Sequence, residues 1–399
     1  MKLFTIALGL QLLSNLSFSQ NREITFDEGS FADLKAKAKK ENKLIFIDAY
    51  TTWCGPCKWM AKNIFTNDTV ADYFNAKFIN AKIDMEKGEG MDIAQAYTVQ
   101  CYPNYLFLDG EGNLVHRFAG SMGAKEFIAG AENSLDSKKQ FAHFTREYEA
   151  KKTDSKFLAE YIQAIAGTCL EYDEILTTYF ASQKEEDLSN RTNWKLLFNY
   201  TNNYKSREFS YLLKHINVYQ KNYTADSVNM KIKDVLMQSA QGIIYTKTST
   251  KADFDLFLKE VASLEYSEKE SILFEANLMN YQAKKDWVKY AELASSEGDK
   301  YFTGIQKINS VAWTLYEKSD DVKALTKAAE WMKKEFAKDA SSVQYMFYDT
   351  YAALLFKLNK KNEAKTAVNK AIELAKAEEM TEADYQATID LKKEIEAMK

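Results

Sequence analysis

Trp53-Cys54-Gly55-Pro56-Cys57-Lys58 is the stretch of sequence that decides the fold of the N-terminal part of this chain. It follows residues 44–50, a short and continuous run rich in β-branched and aromatic residues, which predicts a buried strand. Apolar residues then recur at helical intervals over residues 58–75, which predicts a helix. A strand that leads into Cys-x-x-Cys at the start of a helix is typical of a dithiol redox site.

The two cysteines of this stretch are the candidate catalytic residues. A thiolate is the attacking species, and the free N–H groups of a helix N-terminus stabilise its negative charge. We therefore expect Cys54 to be the nucleophile and Cys57 to be the resolving thiol. A zinc site would need two further ligands, but there is no second Cys-x-x-Cys and the three histidines are dispersed. A disulfide that closes so short a loop adds little stability, so an inert structural bridge is disfavoured.

Length, charge and proline content limit the number of domains, the class of partner and the secondary structure that the chain can have. A chain of 399 residues suggests two or three domains. The formal net charge of −4 gives no basis for a nucleic-acid partner, which usually requires a basic patch. The two prolines are Pro56 and Pro103, and the later sequence is rich in Lys, Glu, Ala and Leu. Long uninterrupted helices are therefore expected after Pro103.

The first residues have the pattern of a secretory signal peptide. Met1-Lys2 gives a positive start, residues 3–13 are apolar, and Ser17-Phe18-Ser19 places small residues at the two cleavage positions. We expect residues 1–19 to be removed and the protein to be exported, to the periplasm. The alternative is a buried N-terminal helix. No stretch approaches the roughly 20 apolar residues that span a bilayer, so no membrane span is expected in the mature chain.

The remaining pattern up to residue 135 alternates strands and helices. It predicts a short strand at Ile24–Phe26, a helix capped by Ser30, a strand at Phe78–Asp84, a loop at Glu86–Gly90, a helix at Met91–Tyr97, a strand at Tyr105–Leu108, a hairpin strand at Leu114–Phe118 and a helix at Ala124–Leu135. The predicted order is β-α-β-α-β-α-β-β-α.

Three separated features make this part resemble the thioredoxin family. Residues 53–58 match the thioredoxin signature at every position, and Asp48 lies six residues before Cys54, where thioredoxins have a buried aspartate. Pro103, preceded by Tyr102, corresponds to the family's cis-proline. The resemblance implies an α/β thioredoxin fold, a mixed sheet flanked by helices, in a domain of residues 20–138.

The resemblance also implies a role for Asp48. An unpaired carboxylate in an otherwise apolar strand should have a raised pKa. In the family this residue accepts a proton from the resolving cysteine, here Cys57; the alternative is a strand-end aspartate bonded to backbone. Lys82, on the neighbouring predicted strand, is expected close to Asp48, as a lysine is in thioredoxins.

Further residues are expected to bind substrate. A cis bond before Pro103 would expose the backbone of Tyr102, which in the family pairs with an extended substrate segment; an ordinary trans proline is the alternative. The hexapeptide residues Trp53, Gly55 and Pro56 are expected to contact substrate beside the cysteines.

The other two cysteines have no assigned role. Cys101 should lie near the dithiol, where it is either a third redox thiol or a small buried residue that packs as an apolar group. Cys169, in a stretch predicted to be helical, is expected to serve packing.

Residues 139–399 predict an all-α region of helical repeats. Residues 311–316 resemble residues 350–355, at an offset near forty, and tetratricopeptide-like hairpins are most evident at 305–380. Stacked helical hairpins form concave surfaces that bind proteins or peptides, so a protein partner is one expectation. A helical spacer that holds the redox domain away from another structure is the other.

Together these observations predict an exported thiol:disulfide oxidoreductase that reduces or isomerises protein disulfides. Its expected partners are protein thiols and disulfides and an unidentified electron donor. No metal and no cofactor besides the redox-active Cys54–Cys57 pair is expected. The alternative is a helical-repeat adaptor protein that uses the thioredoxin-like domain as a binding platform.

Overall fold

The computed structural model of the protein describes residues 22–338 and 343–399, so the predicted signal peptide at 1–19 lies outside the described residues. Contacts divide the chain into two compact units, Met1–Tyr200 and Thr201–Lys399. The limit at residue 138 that we expect for the thioredoxin-like domain stays a prediction. The first unit contains the sheet and the dithiol.

A four-stranded mixed sheet forms the centre of the first unit. Its strands are β1 (Leu44–Tyr50), β2 (Phe78–Asp84), β3 (Asn104–Leu108) and β4 (Leu114–Ala119), in the order β2-β1-β3-β4. β1 is parallel to β2 and antiparallel to β3, and β4 is antiparallel to β3. The predicted mixed sheet is confirmed, and its central strand is the one that leads into the cysteines.

Helices cover both faces of this sheet. They are α1 (Phe31–Glu41), α2 (Gly55–Asn63), α3 (Asp68–Lys77), α4 (Glu89–Ala96) and α5 (Ala124–Leu135). Phe46 of β1 belongs to a core with residues of α2, α3 and α5, whereas Ile45 and Ile47 belong to a core with residues of α1 and α4. Because β1 is buried on both faces, its sequence is continuously apolar instead of alternating.

The predicted first strand at Ile24–Phe26 is wrong. Within the described residues, this part of the chain joins the sheet only through an isolated bridge between Asp27 and Ala81. The amide of Ile24 donates to the carbonyl of Phe65, and the amide of Thr25 donates to the side chain of Asn75. These amides bond to a loop and a side chain, so no strand ladder forms.

The single helix predicted over residues 58–75 is also wrong, because α2 and α3 are separate. The side chain of Asn67 accepts hydrogen bonds from the amides of Thr69 and Val70 and so caps a new helix. Asparagine at this position competes with helix continuation by satisfying free N–H groups. Met60 of α2 and Phe74 of α3 still pack in the same core, whereas Ile64 and Phe65 lie between the two helices.

The predicted Ser30 cap is confirmed, with Ser30 and Asp33 forming a reciprocal capping box at the start of α1. The Tyr102–Pro103 bond is cis, as expected from the resemblance. α4 begins two residues earlier than predicted, at Glu89, inside the segment we expected to be a loop.

The rest of the first unit is helical, as predicted. It contains α6 (Phe141–Lys151), α7 (Ser155–Ala166), α8 (Asp173–Ser182) and α9 (Arg191–Tyr200), with a 3-10 turn at Glu185–Asp187.

The described part of the second unit is helical as well. It contains α10 (Arg207–Lys214), α11 (Ile216–Asn222), α12 (Ala225–Tyr245), α13 (Lys251–Ala262), α14 (Lys269–Ala283), α15 (Trp287–Tyr301), α16 (Ile305–Lys318), α17 (Val322–Phe336), α18 (Tyr345–Lys357), α19 (Lys361–Ala377) and α20 (Gln386–Ala397), with a 3-10 turn at Glu382–Tyr385. Its apolar stripes form the core, as their helical spacing predicts. Across residues 22–338 and 343–399, none of the helices has both the length and the apolar character needed to cross a membrane.

Gly90 tests how tightly α4 packs at the end of β2. A Cβ on Gly90 would lie 2.0 Å from the carbonyl oxygen of Asp84. We expect Gly90→Ala to displace this backbone and to lower the free energy of unfolding by about 1–3 kcal/mol, measured by urea denaturation. Gly167→Ala is the control, because the nearest atom to its Cβ would be 3.9 Å away. Equal stability of the two variants would contradict the close packing.

Candidate functional site

Cys54 and Cys57 lie at the N-terminus of α2 and form a disulfide. Cys54 is the N-cap residue, and its Sγ accepts a hydrogen bond of 3.0 Å from the amide of Cys57. Pro56 lies in the first turn of the helix, where its missing N–H costs nothing. A negative charge on Cys54 Sγ would therefore be stabilised by a backbone N–H and by the helix dipole.

Two aromatic side chains lie together beside the disulfide. The rings of Trp53 and Tyr102 are in edge contact, with centroids 6.0 Å apart. Trp53 is 65% exposed, and its Nε1 donates a 2.9 Å hydrogen bond to Glu86 Oε1. The structure thus brings together Trp53 from the hexapeptide and Tyr102 from the cis-proline loop, two residues that we expect to bind substrate. Sequence reasoning missed Glu86, because nothing in its acidic loop indicates an indole partner.

Asp48 is buried in the middle of the sheet. It lies two residues after Phe46 and so on the same face of β1, toward the core that includes Met60 of α2. Neither of its carboxylate oxygens accepts a hydrogen bond within the described residues. The alternative of a strand-end aspartate bonded to backbone is therefore wrong.

The surroundings of Asp48 shift the pKa of its carboxyl group. Burial raises the pKa of Asp48 to about 7, and the positive charge of Lys82 opposes the rise. Lys82 is the partner of Asp48 in the β1–β2 register, and its Nζ lies 3.9 Å from Asp48 Oδ2. The predictions of a raised pKa and of a nearby Lys82 are confirmed. Burial outweighs the opposing charge of Lys82, so the pKa of Asp48 lies near neutral pH.

Tyr105 is a second buried polar group that sequence reasoning missed. It pairs with Asp48 across β1 and β3, and its hydroxyl has no hydrogen-bond partner within the described residues. Burial, and then the charge of Asp48, raise the pKa of Tyr105 far above its ordinary value. A tyrosine at the start of the otherwise apolar run 105–108 was the available indication. Its neutral hydroxyl adds to the polar surroundings of Asp48.

Cys101 and Cys169 form a second disulfide. The alternative of Cys101 as an unpaired residue that packs as an apolar group and the packing role for Cys169 are therefore wrong, whereas a redox role for Cys101 stays a prediction. Cys169 lies outside the helix we predicted, in the turn after α7, with a left-handed backbone at φ 61°. The cysteine count offered the missing indication, because an exported chain with two cysteines outside Cys-x-x-Cys is expected to pair them.

Among the residues that the structure describes, no three His, Cys, Asp or Glu side chains come together in a group that could hold a metal ion.

Comparison with known proteins identifies the first unit. The model of a family described as thioredoxin-like matches residues 28–110. Chloroplastic thioredoxin Y1 of Arabidopsis thaliana is 37% identical over 115 residues, which are 29% of this chain and 60% of that protein. A proposed disulphide-isomerase from Bacteroides thetaiotaomicron, solved in solution, is 43% identical; the match covers 30% of this chain and 98% of that chain, with a TM-score of 0.28.

The family model matches only the N-terminal part of the chain, and the chain spans about 60% of the length of two chloroplastic thioredoxins. Thioredoxin-1 of Drosophila melanogaster is covered more completely: it is 36% identical over 81 residues, which are 20% of this chain and 70% of that protein. Through its N-terminal domain, this chain belongs to the thioredoxin family.

Proposed function

We propose that this protein is an exported thiol:disulfide oxidoreductase that reduces or isomerises protein disulfides. The observation that carries the proposal is the Cys54–Cys57 pair at the start of α2, where the amide of Cys57 donates to Cys54 Sγ at 3.0 Å. Relatives of the N-terminal domain are named thioredoxins. The cysteine pair is the redox group, and no other cofactor is needed.

The first step is attack by the Cys54 thiolate on a substrate disulfide. A bond forms between Cys54 Sγ and one substrate sulfur, and the other substrate sulfur leaves as a thiolate. The Cys57 thiol then gives its proton to the Asp48 carboxylate and attacks Cys54 Sγ. This closes the Cys54–Cys57 disulfide and releases the second substrate thiolate. Two electrons pass from the dithiol to the substrate.

Asp48 suits the role of proton acceptor because its pKa is about 7. A carboxylate with an ordinary pKa would accept a proton too weakly from a thiol at neutral pH. Burial raises the pKa of Asp48, and Lys82 limits the rise, so both protonation states are populated near neutrality.

The substrate binds across the exposed Trp53 and the loop of Tyr102 and Pro103. We infer from the family resemblance that the backbone of Tyr102, next to Pro103, pairs with an extended substrate segment. Gly55 and Pro56 present little side-chain bulk beside Cys54, which leaves room for a substrate sulfur. Protein disulfides are therefore the substrate class.

The Gly55-Pro56 dipeptide favours the reducing direction. It resembles reducing thioredoxins, with potentials of about −270 mV, more than oxidants with potentials of about −120 mV. Sustained reduction requires an electron donor that re-reduces Cys54–Cys57, which we infer to be another thiol protein. The signal-like segment at 1–19 supports action in the periplasm.

The helical region supports a second role, the binding of a protein partner. We infer a domain boundary near residue 138 and tetratricopeptide-like hairpins at 305–380, where α16 packs on α17 and α18 packs on α19. Such hairpins would present a concave surface to a peptide or protein. The adaptor alternative assigns this surface the main function, whereas our proposal makes it a means of recruiting substrates to the dithiol.

Insulin reduction tests the activity. With dithiothreitol as the electron source, the mature protein should accelerate precipitation of insulin chains, and Cys54→Ser should lower the rate to that of dithiothreitol alone. Lys62→Ser, an exposed change on the same helix α2, is the control and should keep full activity. A wild-type rate no higher than that of Cys54→Ser would favour the adaptor alternative.

Trapping tests the separate roles of the two cysteines. Cys57→Ser should accumulate mixed disulfides through Cys54 because no second thiol resolves them, whereas Cys54→Ser should accumulate none. Non-reducing electrophoresis with mass spectrometry measures the adducts. Adducts on Cys57 in the Cys54→Ser variant, at levels equal to those of Cys57→Ser, would reverse the assignment.

Asp48→Asn tests the buried carboxyl group through stability. Between pH 3.8 and about 7, the folded oxidised protein keeps the Asp48 proton while the unfolded chain has lost it. The free energy of unfolding of the wild type should therefore fall across this range, by on the order of 4 kcal/mol, and level off above it. Asp48→Asn should lack this fall.

Urea denaturation of the oxidised proteins from pH 4 to pH 8 measures the difference. Asp92→Asn, an exposed change on α4, is the control and should follow the wild type. Parallel curves for the wild type and Asp48→Asn would contradict a raised pKa at Asp48.

A further inference from the structure

The Cys101–Cys169 disulfide lies outside the dithiol described above and has its own chemical surroundings. Cys101 is half-buried and lies two residues before Pro103, whereas Cys169 is exposed in the turn after α7. A thiolate from solution can therefore approach the Cys169 sulfur. Cys101 is the less exposed of the two cysteines.

Arg117 of β4 supplies a positive charge near Cys101 that forms no ion pair within residues 22–338 and 343–399. The side chain is only 2% exposed. Its guanidinium donates to the carbonyl oxygens of Tyr97 and Thr98, at 2.6 and 3.2 Å, and to Oδ1 of Asn104, at 3.2 Å. All three acceptors are neutral, and within the described residues its Nε has no partner. A buried cation without a counter-charge stabilises any anion that forms close to it.

Asn104 connects this charge to the disulfide. Its side chain is fully buried, its Oδ1 accepts from Arg117, and its Nδ2 donates toward Cys101 Sγ at 3.9 Å. The amide is thus oriented with its positive end toward the sulfur, because its negative end is held by the guanidinium. This contact to sulfur would strengthen if Cys101 carried a negative charge.

We propose that Cys101–Cys169 is a second redox-active disulfide, in which a thiol reductant attacks Cys169 and Cys101 leaves as a thiolate stabilised by Asn104 and Arg117. The incoming thiolate forms a bond to Cys169 Sγ while the Cys169–Cys101 bond breaks. A second thiolate of the reductant then attacks the mixed disulfide and releases Cys169 as a thiolate. The protein gains two electrons, and the two reductant thiols end as a disulfide.

The backbone around Cys169 favours a reversible reaction. Cys169 has a left-handed backbone at φ 61° in this turn, a conformation that costs free energy for a residue with a side chain. The turn is nonetheless held without the disulfide, because the amide of Ala119 donates to the carbonyl of Gly167 at 2.7 Å, and Thr168 Oγ1 donates to the carbonyl of Ile165 at 2.6 Å. The two thiols would therefore stay close enough to pair again.

A protein without the first dithiol tests this proposal independently of the proposed function. The Cys54→Ser/Cys57→Ser variant is incubated, folded and at neutral pH, with millimolar reduced glutathione and then with oxidised glutathione. Alkylation and mass spectrometry count the free thiols after each step. We expect both Cys101 and Cys169 to become alkylated after reduction and to be protected again after oxidation. A disulfide that glutathione reduces only after denaturant is added would overturn the proposal.

The acidity of Cys101 is the second measurement, on the same reduced variant. The rate of its alkylation by iodoacetamide is followed against pH. We expect the thiol to titrate at least one unit below the ordinary value near 8.5, which raises the thiolate fraction at neutral pH close to tenfold. Titration at or above the ordinary value would overturn the proposal, whatever the result with glutathione.

Two substitutions in the same background separate a positioning role from a structural one. Asn104→Ala should slow alkylation of Cys101 at neutral pH close to tenfold, and Arg117→Lys should largely retain the rate of the reduced parent variant because it keeps the charge. Unchanged rates in Asn104→Ala would overturn the assigned role of Asn104 and Arg117. If Asn104→Ala does not fold, the titration of Cys101 in the parent variant still tests whether its thiolate is stabilised.

Discussion

The pairing of β1 with β2 on one side and β3 on the other is the constraint on which the rest of the first unit depends. It buries β1 on both faces and fixes what stands beside it: Lys82 opposite Asp48 on β2, and Tyr105 opposite Asp48 on β3. The same strand ends just before the dithiol, so its position determines where α2 begins. The hydrogen-bond register of β1 therefore determines the positions of both the cysteine pair and the buried carboxyl group of Asp48.

At Asp48, what the proposed function requires and what favours the stability of the fold are in conflict. An aspartate in an apolar strand destabilises the folded state when it ionises, and neither of its oxygens gains a hydrogen bond in return within the described residues. Apolar packing around Phe46 and Phe107 on the same face offsets that cost. Because the carboxyl group is kept near its ionisation point by burial and by Lys82, a small change in its surroundings suffices to move a proton.

Local sequence patterns predict most strands and helices of the first unit, because its strands are buried and burial requires continuous apolar sequence. The bounds of β1 and β2 follow from continuous apolar runs, and the cis-proline and the neighbouring Lys82 follow from the resemblance. The break between α2 and α3 was missed because one capping side chain, Asn67, outweighs a helical apolar pattern. Glu86 and Arg117 could not be predicted, since their partners are set by loop and strand contacts distant in sequence.

The second disulfide shows why the first unit does not end with the thioredoxin sheet. Cys169 comes after α7, beyond the last helix of the thioredoxin-like domain, yet it is joined to the loop that carries Tyr102 and Pro103. The backbone bond from Ala119 to Gly167 attaches the same turn to the end of β4. A segment outside the family resemblance is therefore tied, covalently and through backbone, to the loop beside the dithiol. Any change in the Cys101–Cys169 bond acts on that loop directly, because only Tyr102 separates Cys101 from Pro103.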